Sequence, residues 1–348
     1  MRLDNPIFNH KFKNLPDIAE YSEVKDEYKN NRKVDLTKLY SYLRKNNLDK
    51  FNLELDKIIE NTYSDIPLSK AESKETIKWR TYLNKYFLYY KKFNAKSKII
   101  KNNKIFKNLY NNGYDILSID TNQIINKDVE KKYKFLTERK DWTPPPGIFD
   151  RWKNLNKNSV ENINKLFDKA GILEACSNYY ARKMKVTLVR LTIGKPTDNH
   201  WKQFLYDCKK ITKYTNLHMD AAEGVMKGMM YLNEVKLGNG ETSFLPKSNR
   251  FIYDPLQAIF CRAIAVGSYC HNPISRRSVF RLPKKLRVTS NFGRLIDNKS
   301  NLKKYLDKNL VKLTSNVGNL LLFDPGAGIH NGGVLKYGER IALQIVIE

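Results

Sequence analysis

Apolar positions recur at three- and four-residue steps through the first third of the chain and at two-residue steps through much of the remainder. The first period predicts helix and the second strand. Leu39, Tyr42, Leu43, Leu48, Phe51 and Leu55 mark one helical stretch. Ser69-Lys70-Ala71-Glu72 opens another, at the spacing of a capping box in which the Ser hydroxyl and the Glu carboxylate each satisfy a free backbone N–H. It continues through Trp79, Tyr82, Leu83, Tyr86, Phe87 and Tyr90. An aromatic stripe of this kind is core material. Residues 1–100 therefore read as a helical N-terminal cap, with no glycine- or serine-rich linker after it.

Beyond residue 100 the pattern changes. Asp141-Trp142-Thr143-Pro144-Pro145-Pro146-Gly147 excludes helix and central strand and predicts an ordered loop. A helix follows from the capping-box spacing Asn158-Ser159-Val160-Glu161 through Ile163, Leu166 and Phe167 to a stop at Gly171. Lys185 to Ile193 alternates as a long strand, with Arg190 and Thr192 as candidate ligand contacts or an ordinary polar row. Met229 to Val235 reads as a buried strand, Lys236 to Gly240 as a turn, and Glu241 to Pro246 as the strand that returns. Gly318 to Gly326 gives strand and tight turn. In the last strand Arg340, Ala342, Gln344 and Val346 share one face, while Ile341, Leu343 and Ile345 share the other and should lie under a helical layer.

Length and composition narrow the classes. A chain of 348 residues can bury a full core. It has no run of about 18 or more apolar residues, which excludes a membrane-spanning helix. Met1-Arg2-Leu3-Asp4-Asn5-Pro6 lacks the apolar core of a secretory signal. Cys176, Cys208, Cys261 and Cys270 show no C-x-x-C spacing and no disulfide framework, so a cytoplasmic location is expected. Lys and Arg number 63 against 36 Asp and Glu, a formal charge of +27. That field draws anionic partners, whether nucleic acid, phosphorylated metabolites or lipid surfaces. The abundance of Lys, Asn, Ile and Tyr equally fits a composition bias that leaves lysines merely solvated.

Candidate chemistry concentrates in four residues. His218 and Asp220 stand at i and i+2, so on a strand their side chains point the same way and could grip one ion. Two imidazoles and one carboxylate on a face of an octahedral metal leave three positions open, as non-haem Fe(II) oxygenases require. His330 is the second imidazole, and Arg340, ten positions on, carries a planar fork that matches a carboxylate. An H-x-D triplet also arises by chance, and the other histidines serve as controls. His10 and His200 sit in polar segments, and Cys261, Cys270 and His271 match no structural-zinc spacing.

The ordered set resembles the phytanoyl-CoA dioxygenase family of Fe(II)/2-oxoglutarate-dependent oxygenases over roughly residues 106 to 348. It comprises Asn112 to Leu117, Leu217-His218-Met219-Asp220, Tyr231-Leu232-Asn233, a Gly-Asn-Gly turn leading to Phe244-Leu245-Pro246-Lys247-Ser248, Gly318 to Asp324, His330 and Arg340. The chain departs from the family at Pro246-Lys247-Ser248-Asn249, where Pro-Gly-Ser-His is usual. His218 and His330 are 112 positions apart, and residues at about 250–312 read as an insertion rich in Arg276, Arg277, Arg281, Lys284, Lys285 and Arg287. That insertion is the expected place of substrate contact.

The resemblance implies a mainly β catalytic domain over residues 101–348. Its architecture would be a double-stranded β-helix, a jelly-roll or cupin-like barrel, with flanking α-helices and the helical N-terminal region. It makes His218, Asp220 and His330 the iron ligands and Arg340 the partner of the distal carboxylate of 2-oxoglutarate. It further implies a dioxygenase that uses Fe(II), 2-oxoglutarate and O2, hydroxylates a small-molecule substrate, and releases succinate and CO2. Related halogenases carry a small residue in place of the carboxylate, so Asp220 favours hydroxylation. Two alternatives remain open at this level: an oxygenase acting on nucleic acid or another polyanion, and a non-catalytic barrel that only binds.

Overall fold

The structure is a computed structural model. It describes residues 18, 33–63, 66–93, 103–138, 151–196, 214, 216–220, 224–250, 254–267, 273–290, 293, 301–314, 316–333 and 335–348. The expected loop at 141–147, the side chain of Tyr90, and residues His10, His200, Cys208, Cys270 and His271 lie outside the described residues. The chain divides into two compact units. One comprises residues 1–95 with 251–302, and the other residues 96–250 with 303–348.

The first unit is helical. The stretch expected from Leu39 to Leu55 is two helices, Thr37–Arg44 and Leu48–Tyr63, because the chain turns at Asn46 with φ 55°. Asparagine tolerates that left-handed conformation better than most residues. The helix Lys70–Phe93 begins with the expected capping box: Glu72 N–H donates to Ser69 Oγ at 3.3 Å, and Ser69 N–H donates to Glu72 Oε2 at 3.0 Å. Trp79, Leu83, Tyr86 and Phe87 are buried. Phe87 meets Phe51 with ring centroids 4.8 Å apart, and Trp79 meets Phe260 of the helix Pro255–Gly267 at 6.4 Å. A Cβ on Gly267 would stand 2.4 Å from Trp79 Cα, so glycine is what lets these helices approach so closely. Arg276 and Arg287 are buried in this unit, and Arg277 pairs with Glu72 at 2.9 Å.

The second unit holds two antiparallel sheets. Its strands are β1 (Tyr114–Ser118), β2 (Arg151–Asn154), β3 (Val186–Gly194), β4 (Met226–Tyr231), β5 (Thr242–Phe244), β6 (Val311–Leu313), β7 (Asn319–Phe323), β8 (His330–Gly332) and β9 (Arg340–Ile347). The larger sheet runs β1-β7-β4-β9-β3-β2 and the smaller β6-β5-β8. An isolated bridge between His218 and His330 adds the His218 segment beside β8. From β3 onward the chain therefore passes repeatedly from one sheet to the other. The strand that was expected to return along β4 does not pair with it: β5 joins β6 and β8 instead.

Alternation assigns the faces of the larger sheet. Met226 and Met230 of β4, Leu320 and Leu322 of β7, Val189, Leu191 and Ile193 of β3, and Leu343, Ile345 and Ile347 of β9 form one core. Helices Lys104–Asn112, Lys127–Glu138, Lys157–Lys169 and Ile172–Tyr180 contribute Phe106, Leu109, Val129, Ile163, Phe167 and Ile172 to the same core. The opposite face carries Tyr231 and Ala342, which cluster with Val235, and Leu321 and Phe323, which cluster with Phe244 and Leu313 of the smaller sheet. One helix starts earlier than its sequence spacing suggests. The cap is Asn156, whose side chain accepts from Ser159 N–H at 2.9 Å, and the stop comes as expected at Gly171 with φ 72°.

Candidate metal centre

His218 and His330 face each other across a reciprocal pair of backbone hydrogen bonds. His218 N–H donates to His330 O at 3.0 Å and His330 N–H to His218 O at 2.9 Å. Residues so paired project their side chains to the same face, and the two rings lie with centroids 4.6 Å apart. Asp220, two positions on, is anchored by its own N–H to Pro325 O at 2.7 Å. Long separation in sequence is thus closed by one bridge and one turn.

The imidazoles are oriented from behind. Nδ1 of His218 lies 2.6 Å from Asn216 O and Nδ1 of His330 lies 2.9 Å from Gly328 O. A backbone carbonyl can only accept, so each Nδ1 donates its proton, and in a neutral ring the lone pair sits on Nε2. Both Nε2 atoms point at one carboxylate oxygen, Oδ1 of Asp220, at 3.3 Å from His218 and 3.7 Å from His330. The three donor atoms lie within 4.8 Å of one another. Donors at right angles around an ion, each about 2.1 Å from it, stand about 3 Å apart. Two lone pairs and a carboxylate oxygen aimed at each other repel unless a cation sits between them, and the donor set therefore fits a divalent metal. Among the described residues this is the one such group of three.

Electrostatics agree with that fit. Burial pushes the His330 imidazole down to about 3, so it stays neutral and available as a ligand at ordinary pH. Burial alone would raise the Asp220 carboxyl, but the Lys227 ammonium outweighs it and holds the group well below the usual carboxylate range. Lys227 Nζ stands 3.2 Å from Oδ2, the carboxylate oxygen that does not face the imidazoles.

Arg340 lies at the start of β9 and is buried. Its Nη1 donates to Gly240 O at 2.7 Å. The same atom would stand 3.7 Å from a Cβ on Gly332, which follows His330 by two positions on β8. Residues two apart on a strand share a face and are about 6.6 Å apart, so the guanidinium sits roughly one dipeptide from His330. Nearby, Tyr231 OH and Thr242 Oγ1 are 2.8 Å apart, and both side chains are buried. Arg190, by contrast, lies over the Trp152 ring at 4.2 Å, and Thr192 donates to Ala342 O at 3.1 Å, so both are engaged within the larger sheet.

Sequence reasoning passed over two parts of the centre. One is the turn after β7, where Asp324 Oδ1 accepts from Gly326 N–H and Ala327 N–H at 3.0 and 3.1 Å and so shapes the loop whose Pro325 and Gly328 carbonyls hold Asp220 and His330. The Asp-Pro-Gly run marked a turn, but carbonyls that orient ligands are common to every residue type and leave no sequence signal. The other is Lys227. Its place on β4 could have been found by alternation, since it falls on the face opposite Met226 and Met230.

No family model and no curated protein matches the chain. Solved structures do. The chain is similar to SnoN, a non-heme alpha ketoglutarate dependent epimerase from nogalamycin biosynthesis, at 10% identity over 70% of this chain and 81% of that one, with a TM-score of 0.41. It is also similar to SnoK, the carbocyclase of the same biosynthesis, at 10% identity over 72% and 84%, with a TM-score of 0.39. A third, EctD from S. alaskensis with 2-oxoglutarate and 5-hydroxyectoine, is 11% identical over 73% of this chain and 77% of that one, with a TM-score of 0.40.

Proposed function

We propose that this chain is an Fe(II)- and 2-oxoglutarate-dependent oxygenase of the phytanoyl-CoA dioxygenase type that hydroxylates a small molecule. The observation that carries the reading is the convergence of His218 Nε2, His330 Nε2 and Asp220 Oδ1, with both Nδ1 protons already committed to carbonyls. Two imidazoles and one carboxylate suit iron in this class of chemistry. The passage of the chain between the two sheets supports a double-stranded β-helix.

In this reading His218, Asp220 and His330 hold Fe(II), which when bound supplies the redox chemistry that couples decarboxylation of 2-oxoglutarate to oxygen insertion. Arg340 pairs with the distal carboxylate of 2-oxoglutarate, and its planar fork fixes the orientation of that end. The Tyr231 hydroxyl of β4 and the Thr242 hydroxyl of β5, one from each sheet, meet at 2.8 Å. Leu321, Phe323 and Phe244 give the interior an apolar wall that limits water around the reacting group.

The test is an anaerobic titration of the purified chain with Fe(II) and 2-oxoglutarate, followed by a screen for substrate-stimulated release of succinate in air. Stoichiometric binding of both and succinate formation that His218→Ala abolishes are expected. Absence of iron binding by the folded wild-type protein rejects the assignment.

A further inference from the structure

Lys227 occupies an unusual position for its type. It lies on β4, a central strand of the six-stranded sheet, with Phe323 of β7 on one side and Val346 of β9 on the other. Its neighbours Met226 and Gly228 face the helix-covered core, so Lys227 shares the opposite face with Met229 and Tyr231. Its side chain is only 20% exposed. A lysine on the inner face of a central strand loses hydration and persists there when it is paired.

The pairing divides the two oxygens of one carboxylate. Oδ1 of Asp220 faces the two imidazole nitrogens, while Oδ2 faces Lys227 Nζ at 3.2 Å. Carboxylates can hold a metal through one oxygen or both. A two-oxygen mode would draw Oδ2 off the ammonium, leaving a partly buried cation without its anion, which is the costly way to break such a pair. We infer that Lys227 is a positioning residue of the metal centre, confining Asp220 to a single coordinating oxygen and thereby keeping open the positions at which further ligands bind. This rests on the metal-centre reading given above. A second consequence follows from the charge itself: an ammonium beside the centre favours anionic ligands at those open positions.

The experiment uses the full chain and Co(II) alone as the probe, read by visible absorption, with azide as a simple anion. Wild-type protein and Lys227→Arg are expected to give the same Co(II) bands and the same azide affinity. Lys227→Met is expected to shift and weaken the bands, as higher coordination does. It should also bind azide at least about tenfold more weakly, or ~1.4 kcal/mol. Lys227→Gln, which keeps a donor without the charge, is read alongside it, and circular dichroism establishes that each variant is folded. A purely structural role for Lys227 would lower thermal stability and leave both Co(II) readouts as in the wild type. Folded Met and Gln variants with wild-type bands and azide affinity would overturn the inference and leave the metal centre standing. Failure of the folded wild-type chain to bind Co(II) would instead remove the centre on which the inference depends.

Discussion

The two faces of the six-stranded sheet are made from alternate residues of the same strands, and they differ in kind. One face is apolar throughout its central strands: Met226, Met230, Leu320, Leu322, Leu343 and Ile345 lie among helix residues such as Phe106 and Phe167. The other mixes apolar groups with Lys227, Tyr231, Gln344 and Arg340, and it is beside this face that the three donor atoms meet. A single-residue slip in register would exchange the two sets, so the apolar face fixes the register that the polar face needs. Stability and chemistry are thereby carried by different side chains on one scaffold.

Substitutions on the helix-covered face and in the donor set beside the opposite face should therefore have separable effects. The largest is expected from His330→Ala in the donor set, which removes one of the three proposed metal ligands and should abolish Fe(II) or Co(II) binding and succinate formation while the protein stays folded. Leu343→Ala, on the helix-covered face, should cost about 2–5 kcal/mol of unfolding free energy through lost burial and a residual cavity. Metal affinity of its folded fraction should be unchanged. Urea unfolding and metal titration of both variants, run side by side, measure the separation. If Leu343→Ala weakened metal binding as much as His330→Ala does, the division between the faces would be wrong.

Arg340→Ala sharpens the polar side of the comparison. A hydrogen-bonded charged contact is worth up to about 3 kcal/mol, so the variant should bind 2-oxoglutarate on the order of a hundredfold more weakly. Co(II) should still bind, because no ligand to the ion has been removed. Titration of the Co(II)-loaded variant with 2-oxoglutarate separates these outcomes, and unchanged affinity would free Arg340 from the role.

What the sequence disclosed follows the same division. Period-two alternation marked β3 and β9 and assigned Leu343 and Ile345 to the helix-covered side, which is where they lie. The capping box at Ser69 and the stop at Gly171 were legible because their residue types are tied to particular backbone geometries. His218, Asp220 and His330 were singled out by the H-x-D spacing together with the family resemblance, and they do meet. Pairing partners were not legible. Glu241 to Pro246 looked like a returning strand, yet β5 joined the smaller sheet, because alternation says which way side chains point and nothing about which strand lies alongside. The helix expected from Asn158 starts instead under an Asn156 cap, since two nearby asparagines offer the same side-chain oxygen. Likewise, the carbonyls of Asn216 and Gly328 that orient the imidazoles belong to the backbone, where sequence is silent.

The smallest effect concerns pH and comes from His330 in the metal-free protein. Burial lowers its folded value to about 3 from an ordinary 6.5. As pH falls below 6.5 the unfolded chain takes up a proton at this residue and the folded chain does not, so unfolding is favoured, and the penalty grows until the folded value is reached. Between pH 6.5 and 5.5 the loss is about 1 kcal/mol. Asp220, whose folded value lies below its ordinary 3.8, adds a loss in the same direction only under more acid conditions, so the two contributions occupy different windows. His330→Gln has no proton to gain and should flatten the upper window, whereas Leu343→Ala should shift the whole stability profile down and keep its slope. Urea midpoints at several pH values between 6.5 and 4.5 give those slopes directly. An equal slope in wild type and His330→Gln would mean that the buried imidazole is not what makes the metal-free donor set sensitive to acid.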